Sequence, residues 1–215
     1  TTTFGNTSVG TDLTVNSTGS VSQEQNMALT VSGKTLINAG TRDVTLSNAT
    51  NAFNSIAVTG GAVSVTDTNG VVLDAIKATS LTVKAGDAVT QTAAATVTGA
   101  PAVDAGANAV TLTQANNFAS VGVTGGAVSV TDTNGVALDA IKAASLTVKA
   151  SGAVTQTAAA SVTGATAVDA GTNAVTLTQA DNEFSNVAIT GTAVSVTDKT
   201  ALALGAIKAS TLTVK

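Results

Sequence analysis

Apolar and polar residues alternate along this chain in short bursts that never lengthen into a helical spacing. Val110/Leu112, Val121/Val123, Val128/Val130, Val136/Leu138 and Leu146/Val148 are such bursts, and Val154, Val162 and Val168 continue the series, with the runs recurring about every seven to eleven residues. Period-two alternation sends these aliphatics to one face of a strand and Thr111, Ser129 and Thr147 to the other. Val and Thr are also side chains that suit a pleated, half-buried surface. Turn signals separate the runs, among them Asp67-Thr68-Asn69-Gly70, Thr124-Gly125-Gly126 and Asp169-Ala170-Gly171. Asp139 to Lys149 could be read as a helix, but its alternating Leu146-Thr147-Val148 assigns it to a strand. The pattern predicts many short strands and no helix.

A longer rhythm lies over the short one. Gly60 to Gly99 returns as Gly125 to Gly164, and the two copies differ only at Val72/Ala137, Thr79/Ala144, Gly86/Ser151, Asp87/Gly152 and Thr96/Ser161. Leu-Thr-Val-Lys occurs at Leu81 to Lys84, Leu146 to Lys149 and Leu212 to Lys215. Phe53, Phe118 and Phe184 keep the same phase, as do Ile76, Ile141 and Ile207, so the period is about 65 residues. An earlier, worn copy shows through in Leu13-Thr14-Val15, in Val21-Ser22-Gln23 against Val89-Thr90-Gln91, and in Ala39 to Val44 against Ala105 to Val110. The units run approximately over residues 1–43 (divergent), 44–109, 110–174 and 175–215 (incomplete), within a single continuous body over 1–215.

Composition narrows the architecture. The chain has no Cys, His, Trp or Tyr, four Phe and one Pro, yet 44% of it is apolar. Aromatic rings fill ordinary cores because each buries a large area. A core of Ala, Val, Leu and Ile alone must be narrow. An array of β-sandwich domains, one per unit, is the alternative, but sandwiches rely on large side chains to fill the ~10 Å between sheets. The expected fold is therefore all-β, a parallel β-helix (β-solenoid) with repeats of about 65 residues and roughly three coils each. Dividing the period by three gives about 22 residues per coil, and about ten coils at ~4.8 Å would make a rod of roughly 48 Å.

Segments such as Ala109-Val-Thr-Leu-Thr-Gln-Ala-Asn-Asn-Phe118, Gly126-Ala-Val-Ser-Val-Thr-Asp132 and Gly152-Ala-Val-Thr-Gln-Thr157 resemble the repeats of filamentous-haemagglutinin-type bacterial exoproteins. The resemblance is one of composition and rhythm and is clearest from Val44 onward. It implies a right-handed parallel β-helix shaft, secretion across the outer membrane, and a role in adhesion or biofilm. The amino-terminal secretion domain of that family has no counterpart here.

Charge and chemistry remove further classes. Charged residues are 10% of the chain and the net charge is −4. No basic stripe or stacking aromatic set points to nucleic acid, and no apolar run approaches the ~20 residues that span a bilayer. No signal peptide opens the sequence. With neither His nor Cys, only carboxylates and hydroxyls could do catalysis. Asp67/Asp132/Asp198 and Asp74/Asp139 recur, but equivalents three coils apart would lie ~14 Å from each other along the axis, too far to share a proton or a metal. Gly205 replaces the second set in the third copy, and the Gly-Gly-x-Gly-x-Asp calcium pattern is missing. Capping of tight turns is the expected role of these aspartates.

Lys77, Lys84, Lys142, Lys149, Lys208 and Lys215 form the other repeated set. Such a row could bind acidic polysaccharide along one face, or simply keep strand faces soluble and unpaired. Thr-x-Thr pairs at Thr111/Thr113, Thr131/Thr133 and Thr176/Thr178 raise ordered-water (ice-binding) faces, although Ser, Lys, Gln and Gly interrupt them. The Phe residues are expected in the core or stacked under loops. Glu183, an extra residue before Phe184, marks a loop there.

The sequence leads to a non-enzyme with no catalytic, cofactor-binding or metal residues and no cofactor. Its expected role is the structural shaft of a secreted bacterial surface fibre or adhesin, extracellular or at the cell surface. The alternative is a self-assembling subunit of an extracellular filament or matrix. Expected partners are other copies end to end or neighbouring parts of a longer chain, with surface polysaccharide or host glycans as ligands, and neither nucleic acid nor membrane. Thr1 to Val15 could be a strand donated to a neighbour.

Overall fold

Each aliphatic burst forms a strand, and each strand finds its hydrogen-bonded partners one turn earlier and one turn later in the chain. The computed structural model describes residues 1–215 as 23 strands, all paired in parallel, with no helix. The stretch Val136–Ala150, which includes the helix-like segment, is strand throughout. The chain is a parallel β-solenoid, and the sandwich array is set aside.

The turn is shorter than the repeat length suggested. Val44 lies beside Val63, Val63 beside Leu81, and Leu81 beside Pro101, so a turn here takes about 19 residues. It is tighter between Val121 and Leu138 and wider between Val21 and Val44. The solenoid makes about 11 turns, or ~53 Å at ~4.8 Å per turn.

A unit of about 65 residues is therefore three and a half turns, not three. Val44 belongs to the column Val21–Val44–Val63–Leu81–Pro101. Its counterpart one unit later, Val110, belongs to another column, Val71–Val89–Val110–Val128–Leu146–Thr166–Val187–Leu204. The next counterpart, Val175, stacks in Val136–Val154–Val175–Val194–Leu212. That column lies on the same sheet as the first, two residues away along the strand, because the first runs on from Pro101 through Ser120–Asp132 to Leu138. Successive units thus present the same sequence on opposite sides of the shaft.

The core is the sum of these inward columns, a single cluster of 51 buried apolar residues running from Val15 to Val196. Leu46–Val65–Val83–Val103–Val123–Ile141 and Leu112–Val130–Val148–Val168–Ile189 are two more of its columns. Each turn buries its aliphatics on the turns above and below, so no wide interior has to be filled. Phe53, Phe118 and Phe184 are all buried, as expected. The first fifteen residues form strands within this chain's own solenoid. Thr2–Phe4 pairs with Val21–Gln23, and Thr7–Val9 and Leu13–Asn16 pair with Leu29–Asn38.

Corners are sharp because an Asx side chain and a glycine act together. Asp104 Oδ1 accepts the Gly106 N–H at 2.9 Å, and Gly106 sits at φ +59°. Asn38 with Gly40 and Asp169 with Gly171 repeat the device. A positive φ is nearly free for Gly and strained for other residues.

Two threonines also take inward positions. Thr35 and Thr166 share one repeat phase with Pro101, and their hydroxyls are buried without a hydrogen-bond partner. A buried orphan hydroxyl costs about 1–3 kcal/mol. Thr166→Val should therefore raise stability against urea by about 1 kcal/mol or more. Equal or lower stability of the variant would show that the hydroxyl is satisfied.

Candidate functional site

The polar groups that recur in every unit converge on one place, where the strand bends after its first inward pair. In Val110–Phe118 the register shifts between Leu112 and Asn116, and the bend turns the Asn116 side chain into the core. Its Oδ1 accepts from the Ala95 N–H at 2.8 Å and from Gln91 Nε2 at 2.9 Å. The two hydrogens of its Nδ2 are shared among three acceptors, Gln91 Oε1 at 3.0 Å, Leu112 O at 3.0 Å and Thr131 O at 3.1 Å. One amide thus ties its own turn to the turn below and the turn above.

The other units repeat it. Asn182 bonds the Ala160 N–H, both amide atoms of Gln156, and the carbonyls of Leu177 and Thr197. Asn51 bonds the Leu29 N–H, Gln23 and the Leu46 carbonyl. Each of these asparagines is fully buried. A buried amide with its donors and acceptor filled contributes stability, whereas a half-filled one costs it.

Asp67, Asp132 and Asp198 complete the arrangement. One oxygen of each accepts the N–H two residues ahead: Asn69 at 2.7 Å, Asn134 at 2.8 Å and Thr200 at 2.8 Å. This is the expected turn cap. The other oxygen reaches back to the preceding turn and accepts the N–H of Phe53 at 2.6 Å, Phe118 at 2.7 Å or Phe184 at 2.6 Å. Burial pushes the carboxyls of Asp67 and Asp132 above the ordinary range, opposed by these two backbone N–H donors. The result is a Gln-Asn-Phe-Asp latch once per unit. Its hydrogen bonds join successive turns.

The remaining repeated residues do not assemble into a site. Asp67 pairs in register with Ala85 and Asp132 with Ala150, on opposite sides of the shaft rather than three turns apart on one side. No group of three acidic side chains is close enough to hold a metal ion. Asp74 pairs with Lys34 at 2.5 Å, and this contact holds its carboxyl below the ordinary range. Glu183, the inserted residue, meets Lys199 at 3.0 Å, which lowers the Glu183 carboxyl and raises the Lys199 ammonium. That pair exists only at the third latch, because Thr68 and Thr133 stand where Lys199 does.

The six repeated lysines do not form one row. Lys84 and Lys142 share a ladder, while Lys149 and Lys208 share a different one half a turn away. The outward Thr residues are also broken into short runs, for example Thr111–Ser129–Thr147–Ala167–Ala188. Arg42 stands in a shallow open groove with Asn16, Ser17, Asn38 and Thr41.

A family model described as repeats of unknown function (DUF5649) matches residues 1–59, 60–124 and 125–190. The chain belongs to the DUF5649 repeat family. Comparison with curated proteins and with solved structures gave no match. The later two matches have the length of the internal period, so the DUF5649 unit corresponds in this chain to three and a half turns, and its boundary falls within a latch: residues 60–124 hold Asp67 of one latch and Gln91, Asn116 and Phe118 of the next.

Two outcomes test the latch. Asp132→Ala leaves the Phe118 and Asn134 N–H groups without their acceptor and should cost about 2–4 kcal/mol in urea unfolding; a loss below about 0.5 kcal/mol would mean that water or a neighbour replaces the carboxylate. The second outcome concerns pH. Because the Asp67 and Asp132 pKa values are raised in the folded state, the folded chain holds these protons more tightly than the unfolded one. Their contribution is fully present below the unfolded carboxyl value and is lost as pH rises through the folded value. Wild type should lose stability relative to D67N/D132N as pH rises from the ordinary carboxyl range through the raised folded values. A relative gain over that range contradicts the assignment.

Proposed function

We propose that this chain is a structural shaft of a secreted bacterial surface fibre or adhesin, supplying reach and stiffness outside the cell for adhesion or biofilm, with no catalytic role. The observation that carries the reading is the uninterrupted inward stack, in which one apolar cluster runs through nearly the whole length. Stability in such a stack is a sum of neighbour terms, so length can grow by duplication without a new core being designed. The near-identity of Gly60 to Gly99 and Gly125 to Gly164 fits that mode of growth. The resemblance of its repeats to filamentous-haemagglutinin-type exoproteins supports the extracellular placement. Support for a non-catalytic role comes from the latch, whose carboxylates and amides are committed to backbone partners.

A shaft and an adhesive tip behave differently in competition. Added in excess to cells displaying the full-length protein, the purified chain should leave attachment unchanged, while antibody to it labels intact cells. Removing one unit from the full-length protein should shorten the fibre by ~17 Å, three and a half spacings of ~4.8 Å, with attachment retained. Blocked attachment would mean that this segment itself carries the adhesive site. Unlabelled intact cells would remove it from the surface.

A further inference from the structure

Few of the chain's charges pair within the chain: its ion pairs are Lys34–Asp74 and Lys199 with Asp181 and Glu183. Lys84 and Lys149 are left over, as is one oxygen each of Asp104 and Asp169, whose other oxygen caps a corner, and their order along the shaft is informative. On one side an outward ladder reads Thr66–Lys84–Asp104–Thr124 over four rungs, with Lys142 on the fifth. On the other side, half a turn away, Thr131–Lys149–Asp169–Thr190 repeats it, with Lys208 on the fifth rung. Lys84 and Asp104 occupy adjacent rungs without closing an ion pair, as do Lys149 and Asp169. Beside each charged ladder runs a flat one, Ser64–Thr82–Ala102–Gly122 and Ser129–Thr147–Ala167–Ala188, in which no side chain exceeds Thr in size.

We infer that this sheet face, present on both sides of the shaft, docks laterally on a second copy of the chain running antiparallel. Read backwards, Thr-Lys-Asp-Thr becomes Thr-Asp-Lys-Thr, so a two-fold axis across the shaft between Lys84 and Asp104 sets each Lys against the partner copy's matching Asp. Thr66 then meets the equivalent of Thr124. An isologous contact requires such self-complementarity. The flat ladder lets two sheets approach to the ~10 Å of stacked β faces or closer. A polyanion seated at Lys84 or Lys149 would meet an Asp on the next rung. Because successive units show the face on opposite sides, one shaft can engage two neighbours and build layers rather than closed pairs. Such docking depends on neither export nor adhesion.

The test is a concentration series of the purified chain at low salt, followed by sedimentation and by negative-stain microscopy with a gold label at one terminus. Wild type should pass from a 20.6 kDa species to twice that mass and beyond, with labels at opposite ends of side-by-side rods. K84E/K149E places Glu against Asp and should abolish the association. Mixing it with D104K/D169K, in which each restored contact is Glu to Lys or Asp to Lys, should recover it. A102R/A167R adds bulk to outward positions of the flat ladder and should also abolish it. Circular dichroism and urea melts verify that each variant keeps the solenoid. Wild type remaining single throughout the series would overturn the inference. So would association that persists unchanged in both K84E/K149E and A102R/A167R.

Discussion

Every inward side chain in this molecule must tolerate a neighbour of similar kind about 4.8 Å above it and another below. That stacking constraint governs what the chain can contain. Val, Leu and Ile satisfy it, because branched aliphatics interlock when stacked in register, as Val89, Val110 and Val128 do. Large rings do not repeat comfortably at that spacing in so narrow an interior. The three buried Phe residues each occur once in about three and a half turns, at the bend where a column is interrupted. The low charge and the scarcity of aromatics are two expressions of one geometry: a thin core with a long polar perimeter.

A stack held only by aliphatics would specify register weakly, since sliding a strand by two residues restores much of the apolar match. The latch removes that freedom. Asn116 reaches turns on either side of its own through directional bonds, and Asp132 ties the Phe118 N–H to a turn cap at the start of the next loop. A slipped strand would leave these groups buried and unpaired. Directional polar bonds of this kind set register, while the apolar columns supply most of the cohesion.

The strands, the parallel solenoid and the absence of helix were legible because alternation and repeat length are local features that any reader of the chain can count. The number of turns per unit was not. The repeat length divides plausibly by three, and only the pairing of Val110 with Val89 and Val128, instead of with the Val44 column, reveals the extra half turn. The turn-capping role of Asp67 and Asp132 was readable from the Asp-Thr-Asn-Gly signal. Their second bond, to Phe53 and Phe118, was not, because it joins residues 14 apart across two turns. The asparagines left a trace that could have been followed: Gln23, Gln91 and Gln156 recur together with Asn51, Asn116 and Asn182. Nothing in the sequence says that such polar residues point inward until the bend at Leu112 to Asn116 is known.

The half turn also gives the repeat number a parity. Unequal exchange between nearly identical units such as Gly60 to Gly99 and Gly125 to Gly164 adds or removes one whole period at a time. Each such event lengthens or shortens the shaft and also swings everything beyond the junction to the opposite side. A second event restores the original azimuth. Two alleles that differ by one unit would aim whatever lies farther along the chain in opposite directions, while alleles that differ by two would aim it the same way at a different height.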